Sequence, residues 1–290
     1  MRRLLTIIWF CVFAAALAAA ATPPRKVMSL SYNPSGLATF AALEKGVSEE
    51  HLRTDLKRIA PYTLGIRTYS LEYGLDRIPA IARELGLKVS LGIQLGKDPA
   101  RNAAEVKRGI ALIKANTDVL DRVYVGNEAV LRGDLPAAEV ARFITQVRAA
   151  TGAKIPFGTA EPWHVFLKYP ELGSASDFIG AHLFPSHDGL PTEAAVDYLD
   201  QRFTELARTF PSKPVVIAET GWQHTGMRHQ ASVPSDKAQA DYTRTFIARA
   251  AAKGYVYNLV EAYDQPWKAP EDNSALWGIF TDAGKPKFDF

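Results

Sequence analysis

Two glutamates close short apolar runs. Glu128 follows Val123-Tyr124-Val125-Gly126-Asn127, and Glu219 follows Val215-Val216-Ile217-Ala218. A pair of carboxyl groups facing one another is what cleavage of a glycosidic bond calls for. One, protonated, gives its proton to the leaving oxygen; the other attacks the anomeric carbon or activates a water. A gap of ~5–5.5 Å suits direct attack with retention, and ~6.5–9.5 Å leaves room for a water and inversion.

Further polar and aromatic side chains fall at the ends of similar runs. Asn127 precedes Glu128, Arg67 and Tyr69 end Ile66-Arg67-Thr68-Tyr69, Tyr32 ends a first run, His182 a sixth, and Glu261 the last. Trp163, Trp222 and Trp267 lie just beyond run ends, where flat apolar faces can stack on sugar rings; Lys268 adjoins the last of them. Trp277 reads as core. His182, His187, His224 and His229 form no H-E-x-x-H set and lie in separate segments, so no metal site is expected and each reads as a singly hydrogen-bonded histidine. The mechanism calls for no cofactor.

These residues need elements to hold them. Eight β-branched or apolar runs read as strands: 26–32, 63–69, 88–94, 122–127, 155–159, 178–183, 214–219 and 256–261. Their starts are spaced as βα units are. Between them, Val140, Phe143, Ile144 and Val147 fall at i, i+3, i+4 and i+7 before Gly152, and Ile78, Ile81, Ala82 and Leu85 repeat the pattern before Gly86. Val106, Ile110 and Ile113 keep the same period, as do Val196, Leu199, Phe203 and Leu206, and Tyr242, Phe246, Ile247 and Ala250 before Gly254. Strands that are apolar nearly throughout are buried on both faces. The length and unit count predict a single α/β domain, a (β/α)8 TIM barrel over residues 22–290, with its site at the C-terminal ends of the strands. Glu128 and Glu219 then stand after strands 4 and 7. No glycine-rich phosphate loop follows any strand, which weighs against a dinucleotide-binding sheet.

Residues 1–21 read as a secretory signal. Arg2 and Arg3 precede an uncharged run from Leu4 to Ala21, which ends in small residues before Thr22-Pro23-Pro24. The sequence therefore predicts export, periplasmic or extracellular, with no membrane partner once the signal is cut. Cys11, the single cysteine, lies inside that signal, so thiol catalysis and disulfides are excluded from the mature part. About 269 residues remain, enough to bury roughly three-quarters of the unfolded surface without such links. Without Arg2 and Arg3 the chain holds 32 basic against 31 acidic residues, a balance with no pull toward nucleic acid or anionic lipid. A neutral partner suits that surface better. The sequence assigns no oligomeric state.

Taken together, the segments VGNE (125–128), IAETGW (217–222), IRTY (66–69), EAYDQPWK (261–268) and WGIF (277–280), with a tyrosine closing the first run, resemble glycoside hydrolase family 17. The likeness spans nearly all of the expected mature chain and sits nearest the bacterial branch. It implies a retaining barrel acting on β-1,3-glucan, by hydrolysis or by glucan transfer. Carried onto matching positions, it implies Glu128 as acid/base, Glu219 as nucleophile and Asn127 as the partner of the sugar 2-hydroxyl. In those roles Glu128 is expected to be protonated at rest, its carboxyl raised by the charge on Glu219. Tyr32 and Tyr69 would line the site, Arg67 would hold the carboxylates, and Glu261 and Lys268 would supply polar groups after strand 8. Trp163 and Trp267 would act as sugar platforms. Where relatives carry a tyrosine after strand 6, this chain has Phe184, so His182 is expected to take that work; Ser274, with Glu271 and Asp272 upstream, replaces an acidic residue before the final Trp-Gly. The alternative readings are a barrel that binds glycan without turnover, and a glycosidase for another β-linkage.

Overall fold

The computed structural model describes residues 26–268 and 276–290; the expected signal, and Glu271, Asp272 and Ser274, lie outside the described residues. Eight parallel strands close a barrel in sequence order. They are β1 (Leu30–Ser31), β2 (Gly65–Arg67), β3 (Lys88–Ile93), β4 (Leu120–Asn127), β5 (Phe157–Pro162), β6 (Ile179–His182), β7 (Val215–Thr220) and β8 (Val256–Leu259). The (β/α)8 expectation is met. The seam between β1 and β8 closes at Leu30 opposite Leu259.

The helices form where period and caps agree. They are α1 (Phe40–Glu44), α2 (Glu49–Ile59), α3 (Ile78–Glu84), α4 (Pro99–Ala115), α5 (Ala137–Thr151), α6 (Trp163–Lys168), α7 (Pro170–Ala175), α8 (Thr192–Thr209) and α9 (Asp236–Lys253). The Asp98 carboxylate accepts the first free N–H groups of α4, with Pro99 at its first turn, and Ser235 does the same for α9. Gly152 and Gly254 end α5 and α9 in the left-handed conformation, as their positions after the apolar stripes predict. Val140, Phe143, Ile144 and Val147 of α5 are all buried against the strands.

Inside the ring a small cluster of Tyr124, Ala160, Phe178, Val216 and Ala218 fills the barrel. Large and small residues interdigitate there. A Cβ added at Gly180 would fall 2.9 Å from the Tyr124 ring and 3.2 Å from that of Phe178, so only glycine leaves room for both rings.

Several strands depart from the sequence reading. β1 shortens to Leu30–Ser31, β2 to Gly65–Arg67 and β8 to Val256–Leu259, and β5 starts and ends later than expected, running through Pro162. Glu161 is thus a buried strand residue and not part of a loop, while Trp163 opens α6. Register shifts fall near the C-terminal ends of β4, β6 and β7. Such irregularities re-aim side chains at a barrel rim, and these are the strands that carry Glu128, His182 and Glu219.

Candidate active site

A cleft of about 630 Å³ opens at the C-terminal face of the barrel, and Asn127, Glu128, His182 and Glu219 line its floor. Glu128 directly follows β4. Gly126 turns the strand at φ +85° and Glu128 itself takes φ +53°, a left-handed backbone that a glutamate seldom adopts. Three groups hold this turn. The Glu128 N–H donates to the Ala160 carbonyl at 2.8 Å, its carbonyl accepts from Arg132 N–H at 3.0 Å, and the buried Glu161 carboxylate accepts the next N–H groups, from Val130 at 2.8 Å and Leu131 at 3.2 Å. Sequence reasoning missed Glu161. Its signal was present, a third carboxylate ending an apolar strand, but β5 was expected to stop two residues earlier.

On β7, Glu219 Oε1 accepts from Arg67 Nη1 at 2.8 Å. The same guanidinium donates to the Ala218 carbonyl at 2.8 Å and, through Nη2, to Asn127 Oδ1 at 2.6 Å. Arg67 is 1% exposed and lies between the rings of Tyr69 and Tyr124, 4.7 Å and 4.3 Å from their centroids. It holds Glu219 and Asn127 from beneath and does not line the cleft, in keeping with the expectation that it holds a carboxylate in place. Because Asn127 turns its oxygen to Arg67, its amide N–H₂ is the end left to address a ligand hydroxyl.

His182 stands between the carboxylates. Its Nδ1 is 2.7 Å from Glu128 Oε1 and its Nε2 is 3.3 Å from Glu219 Oε1, without the alignment of a hydrogen bond. One ligand atom from each of Glu128, His182 and Glu219 lies within 4.8 Å of the others. Among the described residues this is the group of His, Asp and Glu side chains spaced to share a cation. In the arrangement seen, the His182 nitrogen facing Glu128 is engaged in a hydrogen bond to it.

Burial pushes the Glu128 carboxyl up, but the hydrogen bond and charge of His182, helped by Arg132 and His187, outweigh it and pull the carboxyl down to about 2. That overturns the expectation of a Glu128 protonated at rest through repulsion by Glu219. The partner that decides its ionisation is the histidine. With Glu128 ionised, the proton of the short bond lies on Nδ1.

The other expected residues divide. Tyr69, Trp163, Trp267 and Lys268 line the cleft. The Tyr69 hydroxyl pairs with Ser31 Oγ at 2.6 Å, and the Arg202 guanidinium covers the Trp163 ring at 4.7 Å. Glu261 is buried and accepts Lys268 Nζ at 2.8 Å on both oxygens, so it fixes the lysine and does not itself line the cleft, as had been expected. Tyr32 turns the other way. Its hydroxyl donates to Asp55 Oδ2 of α2 at 3.1 Å, so it packs outside the barrel, and Asn33 is the residue after β1 that reaches the cleft. Alternation along a strand sends neighbours to opposite faces, and Ser31 holds the inward position. Trp222 is 0% exposed, its indole N–H donating to the Val233 carbonyl at 3.3 Å and its ring 5.4 Å from Tyr242. It is core, not a sugar platform. Trp277, expected as core alone, also forms cleft wall: its ring lies 5.1 Å from Phe184 and 5.4 Å from His187, and all three line the cavity.

A family model described as the BtgE/BtgC glycoside hydrolase domain matches residues 30–278. The chain is 28% identical over 221 residues to a probable β-glucosidase, btgE, of Neosartorya fischeri, covering 73% of this chain and 39% of that protein. The chain thus spans about two-fifths of the length of that relative. It is 24% identical over 267 residues to a glucan 1,3-β-glucosidase of Saccharomyces cerevisiae, covering 83% and 85% of the two chains. The structure of the glycoside hydrolase family 17 β-1,3-glucanosyltransferase of Rhizomucor miehei superposes with a TM-score of 0.78 at 24% identity, covering 89% of this chain and 94% of that one. That likeness is one of fold.

Proposed function

The chain belongs to the BtgE/BtgC glycoside hydrolase family, and from that premise we propose that it cleaves β-1,3-glucosidic bonds with retention, by double displacement, using Glu219 as nucleophile and Glu128 as acid/base. The observation that carries this reading is the approach of the two carboxylates, with one oxygen of each within 4.8 Å across the rim. That spacing accords with the ~5–5.5 Å of retaining pairs and leaves no room for the water an inverting pair needs. The β-1,3 linkage is drawn from the quoted sequence segments and supported by what the yeast and Rhizomucor proteins are said to act on.

In the first step the Glu219 oxygen forms a bond to the anomeric carbon as the bond to the leaving oxygen breaks. Arg67 fixes the attacking carboxylate, and Asn127 addresses the 2-hydroxyl. The leaving oxygen takes a proton from Glu128 in its protonated form. A glycoside that fills the cleft expels water, which raises the cost of a charge on Glu128 and favours that form. In the second step Glu128 accepts a proton from the incoming hydroxyl, whose oxygen displaces Glu219. Water as acceptor gives hydrolysis; a sugar hydroxyl gives transfer. Trp163, His164 and Leu131 line the side of the cleft next to Glu128, where that acceptor enters.

The proposal includes export, with residues 1–21 as a cleaved signal. No helix among the described residues is long and apolar enough to cross a membrane. The experiment that tests the enzymatic reading is product analysis on laminari-oligosaccharides with wild-type protein and Glu219→Ala. Shorter sugars alone mean hydrolysis, products longer than the substrate mean transfer, and wild-type turnover by the alanine variant ends the assignment.

A further inference from the structure

We infer that Glu161 of β5 is a positioning residue for the acid/base, setting the angle at which Glu128 meets the leaving oxygen without itself touching substrate. The inference rests on the retaining-glycosidase reading above. It adds a third carboxylate whose work is confined to proton transfer.

Three consecutive residues of β5 grip the end of β4. Thr159 Oγ1 donates to the Gly126 carbonyl at 3.1 Å. The Ala160 carbonyl accepts the Glu128 N–H at 2.8 Å. Glu161 accepts the Val130 N–H on Oε1 at 2.8 Å and the Leu131 N–H on Oε2 at 3.2 Å. The grips therefore fall before, at and after the acid/base residue. Ala160 packs in the cluster inside the barrel. Alternation along the strand sends Thr159 and Glu161 to the other face, where both are 0% exposed. Glu161 does not line the cleft, whereas Glu128 and Leu131 do. A group so placed acts on the reaction only through the chain that it holds.

The Arg132 N–H, donating to the Glu128 carbonyl at 3.0 Å, closes a single helical turn after β4. The first N–H groups of such a turn have no partner within it. Glu161 gives them, from the neighbouring strand, what an N-cap side chain gives a helix. Burial pushes its carboxyl up, against the Val130 and Leu131 N–H groups that hold its charge. That costly charge secures the left-handed backbone of Glu128 at φ +53°, which persists only where surrounding bonds impose it. The aim of the Glu128 side chain follows from that backbone. Turning it would part Oε1 from His182 Nδ1, 2.7 Å away, and from the oxygen to be protonated. Nucleophilic attack has a separate support, since Glu219 stands on β7 and is held by Arg67.

The test is kcat/KM for phenol release from two aryl glycosides of the same β-1,3-linked diglucoside, one bearing 2,4-dinitrophenol and the other phenol. Dinitrophenolate departs without a proton; phenol needs one. Wild type is compared with Glu161→Gln, which keeps the shape but sets an amide N–H₂ against one of the two N–H groups. That variant should lose roughly 10²-fold on the phenyl glycoside, the cost of a catalytic group misplaced by about 1 Å. On the dinitrophenyl glycoside it should keep nearly all of its rate. Thr159→Val, which removes only the hydroxyl on Gly126, should shift the same way by a smaller factor, and it carries the test if the glutamine variant does not fold. Circular dichroism and melting curves establish which variants are folded. In the folded variants, no loss, or a loss that ignores the leaving group, overturns the positioning role and leaves the catalytic pair in place. A wild type that releases neither phenol removes the enzymatic reading, and this inference with it.

Discussion

His182 Nδ1 lies 2.7 Å from Glu128 Oε1, and the imidazole, itself buried, is the strongest influence holding that carboxylate ionised. The proposed acid/base residue is thus half of a hydrogen-bonded pair.

That pairing bears on the alkaline side of the pH profile. The hydrogen bond and charge of His182 hold the Glu128 carboxyl down against burial, which raises it. In His182→Phe that pull is gone and the effect of burial remains. The alkaline limb of kcat/KM, where the proposed acid loses its proton, should therefore move to higher pH. A pH–rate profile reads the change, and an unmoved limb refutes the hold of His182 on Glu128.

Glu128 also makes stability depend on acidity. Its carboxyl is lowered from an ordinary 4.5 to about 2. A depressed carboxyl contributes stability that is full above its unfolded value and is lost as pH falls through the folded one. Wild type should therefore lose stability relative to Glu128→Gln as pH drops from 4.5 to about 2, and the difference between them should be level above 5. Urea unfolding across that range measures it.

Arg67 donates to Glu219, Asn127 and the Ala218 carbonyl from a position with no water access. Removing one partner of a buried ionic network strands the other, at a cost of about 3–5 kcal/mol. Arg67→Met should lower unfolding stability by that order and abolish turnover as well, because Glu219, the proposed nucleophile, loses its anchor. Denaturant midpoints together with a rate assay check the pair of effects.

The tryptophans separate core from cleft. Trp222→Ala should cost about 3–5 kcal/mol of stability, as other buried aromatic truncations do. Trp267→Ala, at a half-buried cleft wall, should leave the melting temperature nearly unchanged and raise KM about tenfold on a glucan trisaccharide, the worth of one aromatic face. Equal stability losses in both variants would contradict the placement of Trp222.

The strands and both glutamates were legible because each run is apolar nearly throughout and ends on a single polar residue, a pattern that needs only neighbours in sequence. Tyr32 was not, because β1 has just Leu30 and Ser31 in the ladder, and which neighbour points inward is set by pairing with β2 and β8. Trp222 was misplaced for a related reason. It follows β7 by two residues, as a cleft residue would, but its surroundings are Tyr242 of α9 and the Val233 carbonyl, contacts far along the chain. The state of Glu128 turns on His182, fifty-four residues away, and a distance between two side chains across the rim has no local signature.

One buried guanidinium on β2 fixes both the Glu219 oxygen proposed to attack and the Asn127 amide proposed to read the sugar. The aromatic groups proposed to meet the glucan chain stand apart from it, on segments such as those bearing Trp163 and Trp267. Insertions or substitutions in those segments can alter which polymer is taken while the reacting atoms stay where they are. A barrel wired in this way can diversify its diet without having to reinvent its chemistry.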